Sequence, residues 1–170
     1  MRGLHPHLVP IALASLLAAC HAPSDAALLR RFAANRPLFD TLVAMFDQDS
    51  SVARIAPTYT LRVNQHGLPQ SDSLLLPQAR WNRYRALFQR LHLQLVQREQ
   101  LDDSTPVVFL WVYSTGIVNH GDRKGYLFTR GSPTPLLRSL DGNVRRAASY
   151  RSHYVVYREV GSGWYLEYDW

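Results

Sequence analysis

The chain holds one cysteine, Cys20, and one lysine, Lys124, in 170 residues. A lone thiol excludes an internal disulfide and a cysteine-rich zinc cluster. No apolar run reaches the about 20 residues that a mature membrane-spanning helix needs. No glycine-rich phosphate loop precedes a helical pattern, and no HExxH-like histidine pair occurs. Gly161-Ser162-Gly163 is a tight turn that lacks the spacing of a nucleophile elbow. Charged residues make up 19% and apolar residues 46%, which excludes a disordered chain. The length fits one domain, and a chain of this size buries roughly 68–70% of its unfolded surface, so no covalent staple is required.

What is present begins with an address. Arg2 lies in a short polar lead, and Leu8 to Leu17 form an apolar stretch of signal-peptide length. Leu17-Ala18-Ala19-Cys20 follows. This resembles the lipobox of bacterial lipoproteins, in which the cysteine receives a diacylglycerol thioether and becomes the new N-terminus. The resemblance implies a signal peptide over 1–19, a lipidated tether over 20–24 and a single domain over 25–170. Two or more acyl chains anchor stably where one holds only marginally. His21 stands where an aspartate would imply inner-membrane retention, so the outer membrane is favoured over the inner. Cleavage would remove one Arg and no acid, leaving 18 basic against 13 acidic residues, a charge of +5. The basic side is almost wholly arginine, whose planar fork grips phosphate or carboxylate. An anionic cell-envelope ligand or an envelope protein is therefore the expected partner, beside the membrane itself, and export removes cytosolic nucleic acid.

The patterning predicts α+β architecture: two or three helices in the N-terminal half packed on one face of an antiparallel sheet of four to five strands. Ser24-Asp25 caps a first helix through Phe32; Asn35 caps a second, with Pro37 in its tolerant first turn and Phe39, Leu42, Val43 and Phe46 on one side. Ile55 to Val63 alternates as one edge strand. Pro77 opens a helix with Trp81, Tyr84, Phe88 and Leu91 on a common face, and Leu93 to Arg98 leaves it as a strand. Val107 to Ser114 is a β-rich run with Gly125 to Thr129 as its hairpin partner. Tyr150 to Val160 and Trp164 to Trp170 form a final hairpin around Gly161-Ser162-Gly163.

Two constellations stand out as binding candidates. Asn119 to Lys124 places His120, Asp122, Arg123 and Lys124 between two strands, as a contact for an anion or a protein, or as a solvated turn. The C-terminal aromatics, with Tyr154, Trp164 and Tyr168 foremost, suit either a binding face or a strand core. No catalytic residue, metal site or cofactor is expected.

Phe32-x-x-Asn35-x-Pro37-Leu38-Phe39, Ala79-Arg80-Trp81-x-x-Tyr84-Arg85-x-Leu87-Phe88, Lys124-Gly125-Tyr126, Leu140-Asp141 and Trp164-Tyr165-Leu166 resemble a group of predicted lipoproteins of Gram-negative proteobacteria. That resemblance implies export and anchoring and supplies no activity. The leading expectation is a lipid-anchored, periplasm-facing protein that works by non-catalytic binding, with an immunity or inhibitor protein as its sharper form. The alternative is a small envelope hydrolase assembled from His120, Asp122, Asp141 and His153.

Overall fold

The computed structural model describes residues 21–62, 75–101, 105–115, 121–142 and 155–170. Cys20, His120, His153 and Tyr154 lie outside the described residues, so the lipidation site and three of the candidate site residues are not placed.

Helix α1 spans Asp25–Gln48. The Ser24 side chain accepts the Ala27 amide at its start, satisfying a donor that has no partner inside the helix. The two helical segments expected here are found joined end to end as one element, broken at Asn35. Pro37 has no N–H to give Ala33, and its ring crowds that carbonyl. The backbone relieves this at Asn35 (φ −130°, ψ 15°). The Asn35 amide side chain donates to the Arg31 carbonyl at 3.0 Å, so that acceptor stays satisfied across the kink. Leu28 and Phe32 before the kink, and Phe39, Leu42, Val43 and Phe46 after it, still bury on one side.

Strands β1 (Val52–Ala56) and β2 (Tyr59–Arg62) form a hairpin where one edge strand was expected. Pro57, which cannot donate to a ladder, falls in the turn. Helix α2 (Gln78–Leu91) buries Trp81, Tyr84, Leu87, Phe88 and Leu91. It ends on His92 in the left-handed region (φ 52°, ψ 51°), where the His92 and Leu93 amides close on the Gln89 and Phe88 carbonyls. Strands β3 (Leu95–Gln100), β4 (Pro106–Ser114), β5 (Arg123–Thr129), β6 (Val155–Gly161) and β7 (Trp164–Asp169) complete one antiparallel sheet in the order β2-β1-β3-β4-β5-β7-β6.

Among the described residues the sheet thus has seven strands, with 38% of those residues in strand against 32% in helix. The expected four to five strands and helix-led α+β arrangement are corrected to a sheet-rich fold with two helices. The shortfall has a local cause. The alternation of β1 and β2 runs unbroken through Pro57, so two strands read as one, while the strand expected from Leu93 to Arg98 is found as β3.

Both helices pack on one face of the sheet. Phe32, Phe39, Tyr126 and Trp164 meet there with ring centroids 4.6–6.0 Å apart. The opposite face carries a smaller buried group of Val107, Phe109, Leu127 and Tyr157. At Gly125 the pairing of β5 with β4 leaves no room for a side chain, since a Cβ there would collide with the Leu110 carbonyl oxygen.

Candidate functional site

Strand alternation separates the charged residues that the sequence groups together. Along β5, Lys124 points with Tyr126 to the helix side, and Arg123 points to the other face. Lys124 is only 2% exposed, so it does not sit on a solvated tip. Its ammonium lies 2.8 Å from Asp25 Oδ1 and 2.9 Å from Asp141 Oδ1. Asp25, fully buried at the first turn of α1, also takes Arg158 at 2.8 Å, the Leu140 amide at 2.7 Å and the Ser139 hydroxyl at 3.2 Å. The Asp141 carboxylate accepts the Asp25 amide on both oxygens, capping the helix start where the macrodipole favours an anion. Burial alone would raise the Asp25 pKa. Lys124, the Leu140 amide and Arg158 outweigh it and hold the carboxyl below its ordinary value.

Two cations and two carboxylates make this cluster neutral, and each member is engaged. It fastens the start of α1 to β5, β6 and the 139–141 turn. Such a closed set positions chain segments and leaves no charge for a ligand. Trp164 is likewise core, its indole N–H donating to Asp40 at 3.1 Å. Tyr168 is half-buried on the helix side, with its ring 5.8 Å from Trp170. The Asp122 carbonyl accepts the Thr115 amide and closes the β4–β5 connection. Of the hydrolase candidates, Asp141 is held in the ion cluster and Asp122 belongs to that connection. Among the described residues no three His, Cys, Asp or Glu side chains converge as metal ligands.

Arg123 belongs to a different group on the far face. It pairs with Asp169 and with Glu99 (3.8 Å) and lies over the Trp111 ring at 4.8 Å. Across the Gly125 gap from Trp111, in register on β7, stands Glu167, 4% exposed. Burial pushes its carboxyl up to about 8, with Glu99 adding to the shift and Arg123 opposing it. Glu99 is raised too, again chiefly by burial. Beside them Gln97 Oε1 and Trp111 Nε1 are buried with no hydrogen-bond partner. The sequence reading passed over Glu99 and Glu167. The available signal was an acid on the Tyr165-Glu167-Asp169 side of a strand whose other side is Trp164-Leu166-Tyr168.

The accessible site lies on the helix layer. Arg80, at the start of α2, binds Asp49 at 2.9 Å and the Met45 carbonyl at 2.8 Å, near the end of α1. The other end of α2 lies beside Arg31 and Asn35, so the two helices run antiparallel. Between them opens a groove of about 840 Å³ lined by Arg31, Asn35, Ala86, Gln89, Arg90 and His92. An adjoining groove of about 700 Å³ shares Ala86, Gln89 and His92 and adds Arg85. Among the described residues no carboxylate lines either one. Helix α2 contains no acid at all, and its exposed Arg83, Arg85 and Arg90 form no ion pair among the described residues. Exposed cations of one sign attract anions and steer their approach.

No family model, curated protein or solved structure matches the chain.

Proposed function

We propose that this chain is a lipid-anchored protein of the bacterial envelope that acts by non-catalytic binding, with its helix layer turned to an anionic partner. The observation that carries the reading is the set of exposed arginines on α2, of which Arg90 and Arg85 line two adjoining open grooves whose described lining holds no carboxylate. The interior ion cluster supports it by contrast, since Lys124 and Arg158 are neutralised there while Arg83, Arg85 and Arg90 form no ion pair among the described residues.

Anchoring through Cys20, the outer-membrane address and the likeness to predicted lipoproteins rest on the sequence motifs. They join to the fold through a short tether. His21 to Ser24 can extend about 18 Å at most, counting the steps from Cys20 to Asp25 at up to about 3.6 Å each. An anchored Cys20 would therefore keep the first turn of α1 close to the bilayer. The antiparallel pairing puts Arg90 and His92 in the half of the helix layer nearer that turn. An envelope-attacking enzyme, neutralised by a protein that covers it, is the sharper form of the partner. The hydrolase alternative loses ground because Asp141 is committed to Asp25 and Lys124.

Affinity capture of the tagged full chain from a native envelope extract tests the binding reading. A stoichiometric partner that is lost with Arg83→Glu, Arg85→Glu and Arg90→Glu combined supports it. Turnover of a cell-wall substrate, with no partner retained, reverses it.

A further inference from the structure

We infer that the groove between α1 and α2, at the His92 end, binds a phosphate-bearing small ligand, with Arg31 and Arg90 as its cationic walls. This rests on the binding reading above and names the chemistry that the groove selects.

Three observations converge. First, the lining joins two guanidinium groups to the amide side chains of Asn35 and Gln89 and includes no carboxylate to compete for them. Second, Arg31 is half-buried at the groove wall, with no ion pair for its guanidinium and no hydrogen-bond acceptor for its Nη1 among the described residues. A half-buried cation without a counter-charge is costly, and an anion in the groove would offset it. Third, the walls between the cations are Ala34 and Ala86, whose short side chains keep about 840 Å³ open. That volume lies within the range of about 300–1,000 Å³ typical of ligand clefts. The adjoining groove brings Arg85 within the same surface, a further cation for a second anionic group.

The C-terminal end of a helix ordinarily repels anions. Here the effect is blunted, because the His92 and Leu93 amides occupy the Gln89 and Phe88 carbonyls and Arg90 sits in the last turn. Guanidinium forks match phosphate oxygens two at a time, which favours a phosphate over a diffuse anion. The phosphate can belong to a soluble ester or to the headgroup of a phospholipid in the bilayer beside the tether.

Calorimetric titration of the purified full chain in neutral detergent separates these sources. The probes are glycerol 3-phosphate, dihexanoylphosphatidylglycerol below its micellar concentration, and glycerol as the uncharged control. Saturable one-to-one binding of either phosphate probe, absent with glycerol, is expected. It should weaken at least tenfold in Arg31→Gln and in Arg90→Gln, and persist in Arg36→Gln, whose guanidinium lies beside Asp40 outside the groove. Tighter binding of the phospholipid assigns the bilayer as the source; tighter binding of glycerol 3-phosphate assigns a soluble ester. If Arg31→Gln fails to fold, exposed Arg90 carries the test alone. The inference is overturned if neither phosphate probe saturates, if Arg90→Gln binds like the wild type, or if Arg36→Gln loses as much. Retention of an envelope partner without phosphate binding overturns this inference and leaves the binding reading standing; loss of both overturns both.

Discussion

Replacing Lys124 by Met removes one charge from the closed cluster and leaves its two carboxylates facing a single guanidinium. The cost divides unequally. Asp141 is 41% exposed at its side chain and can take water in place of the ammonium. Asp25 is fully buried and keeps only Arg158, Ser139 and the Leu140 amide. Breaking a buried ion pair by removing one partner costs about 3–5 kcal/mol, and the remaining Arg158 contact places this case near about 3. For a domain of this size each kcal/mol moves the melting temperature by about 2–4 °C, so a fall of about 6–12 °C is expected.

The pH dependence supplies the sharper check. In the wild type the Asp25 pKa is lowered on folding, so its stabilisation is complete above the unfolded value and is lost as pH falls through the folded one. Without Lys124 the Asp25 pKa rises. The deficit of the variant should therefore shrink as pH is lowered towards 4. Adding Asp25→Asn to Lys124→Met should recover part of the loss, because the uncompensated charge is gone. Urea denaturation of the wild type, both single variants and the double variant at pH 7 and pH 4.5 measures all of this. A Lys124→Met variant within 0.5 kcal/mol of the wild type at pH 7, as surface substitutions usually are, would refute the reasoning.

Glu167 makes the opposite pH prediction. Its folded carboxyl keeps its proton up to about 8 against an ordinary 4.5, so its own contribution to stability is greatest below 4.5 and falls as pH rises to about 8. The fall amounts to roughly 5 kcal/mol at most, at 1.36 kcal/mol per unit; in Glu167→Gln the melting profile over that window should flatten, and an unchanged slope contradicts the burial argument. Gly125→Val should abolish stable expression, because its Cβ would meet the Leu110 carbonyl oxygen; normal yield and melting would mean β4 and β5 can separate there. Phe88→Ala should lower stability by about 3–5 kcal/mol, read from chemical denaturation, and a near-zero effect would place the α2 stripe outside the core.

The sequence made some elements legible because their signals are local. Trp81, Tyr84, Phe88 and Leu91 recur at helical spacing and mark α2; Gly161-Ser162-Gly163 between two aromatic runs marks the β6–β7 hairpin. Other features depend on competition between local terms. Pro37 reads as the first turn of a second helix, and the backbone does leave helical geometry just before it at Asn35, while the shared core beneath Phe32 and Phe39 keeps both segments in one element. The candidate site was harder to read, because its meaning lies in pairings between distant segments. Lys124 sits in a polar run that reads as a turn, while Asp25, Asp141 and Arg158 come from a helix start, a loop and another strand. Only the alternation Lys124-Tyr126 hinted that its side chain turns inward. The arginines of α2 were visible in the sequence, but that Arg80 pairs with Asp49 while Arg83, Arg85 and Arg90 form no ion pair among the described residues depends on the three-dimensional position of nearby acids.

Anchoring at Cys20 underlies the envelope assignment, and partition of wild-type and Cys20→Ser protein between membranes and supernatant in high salt tests it most directly. The +5 charge of the processed chain would hold it to a membrane only weakly once salt screens it. Wild-type protein should therefore stay with the membranes through its acyl chains, carry palmitate label and show the mass of an added lipid, while Cys20→Ser is released. Membrane retention of Cys20→Ser in high salt, with wild-type mobility and undiminished lipid label, would contradict the account.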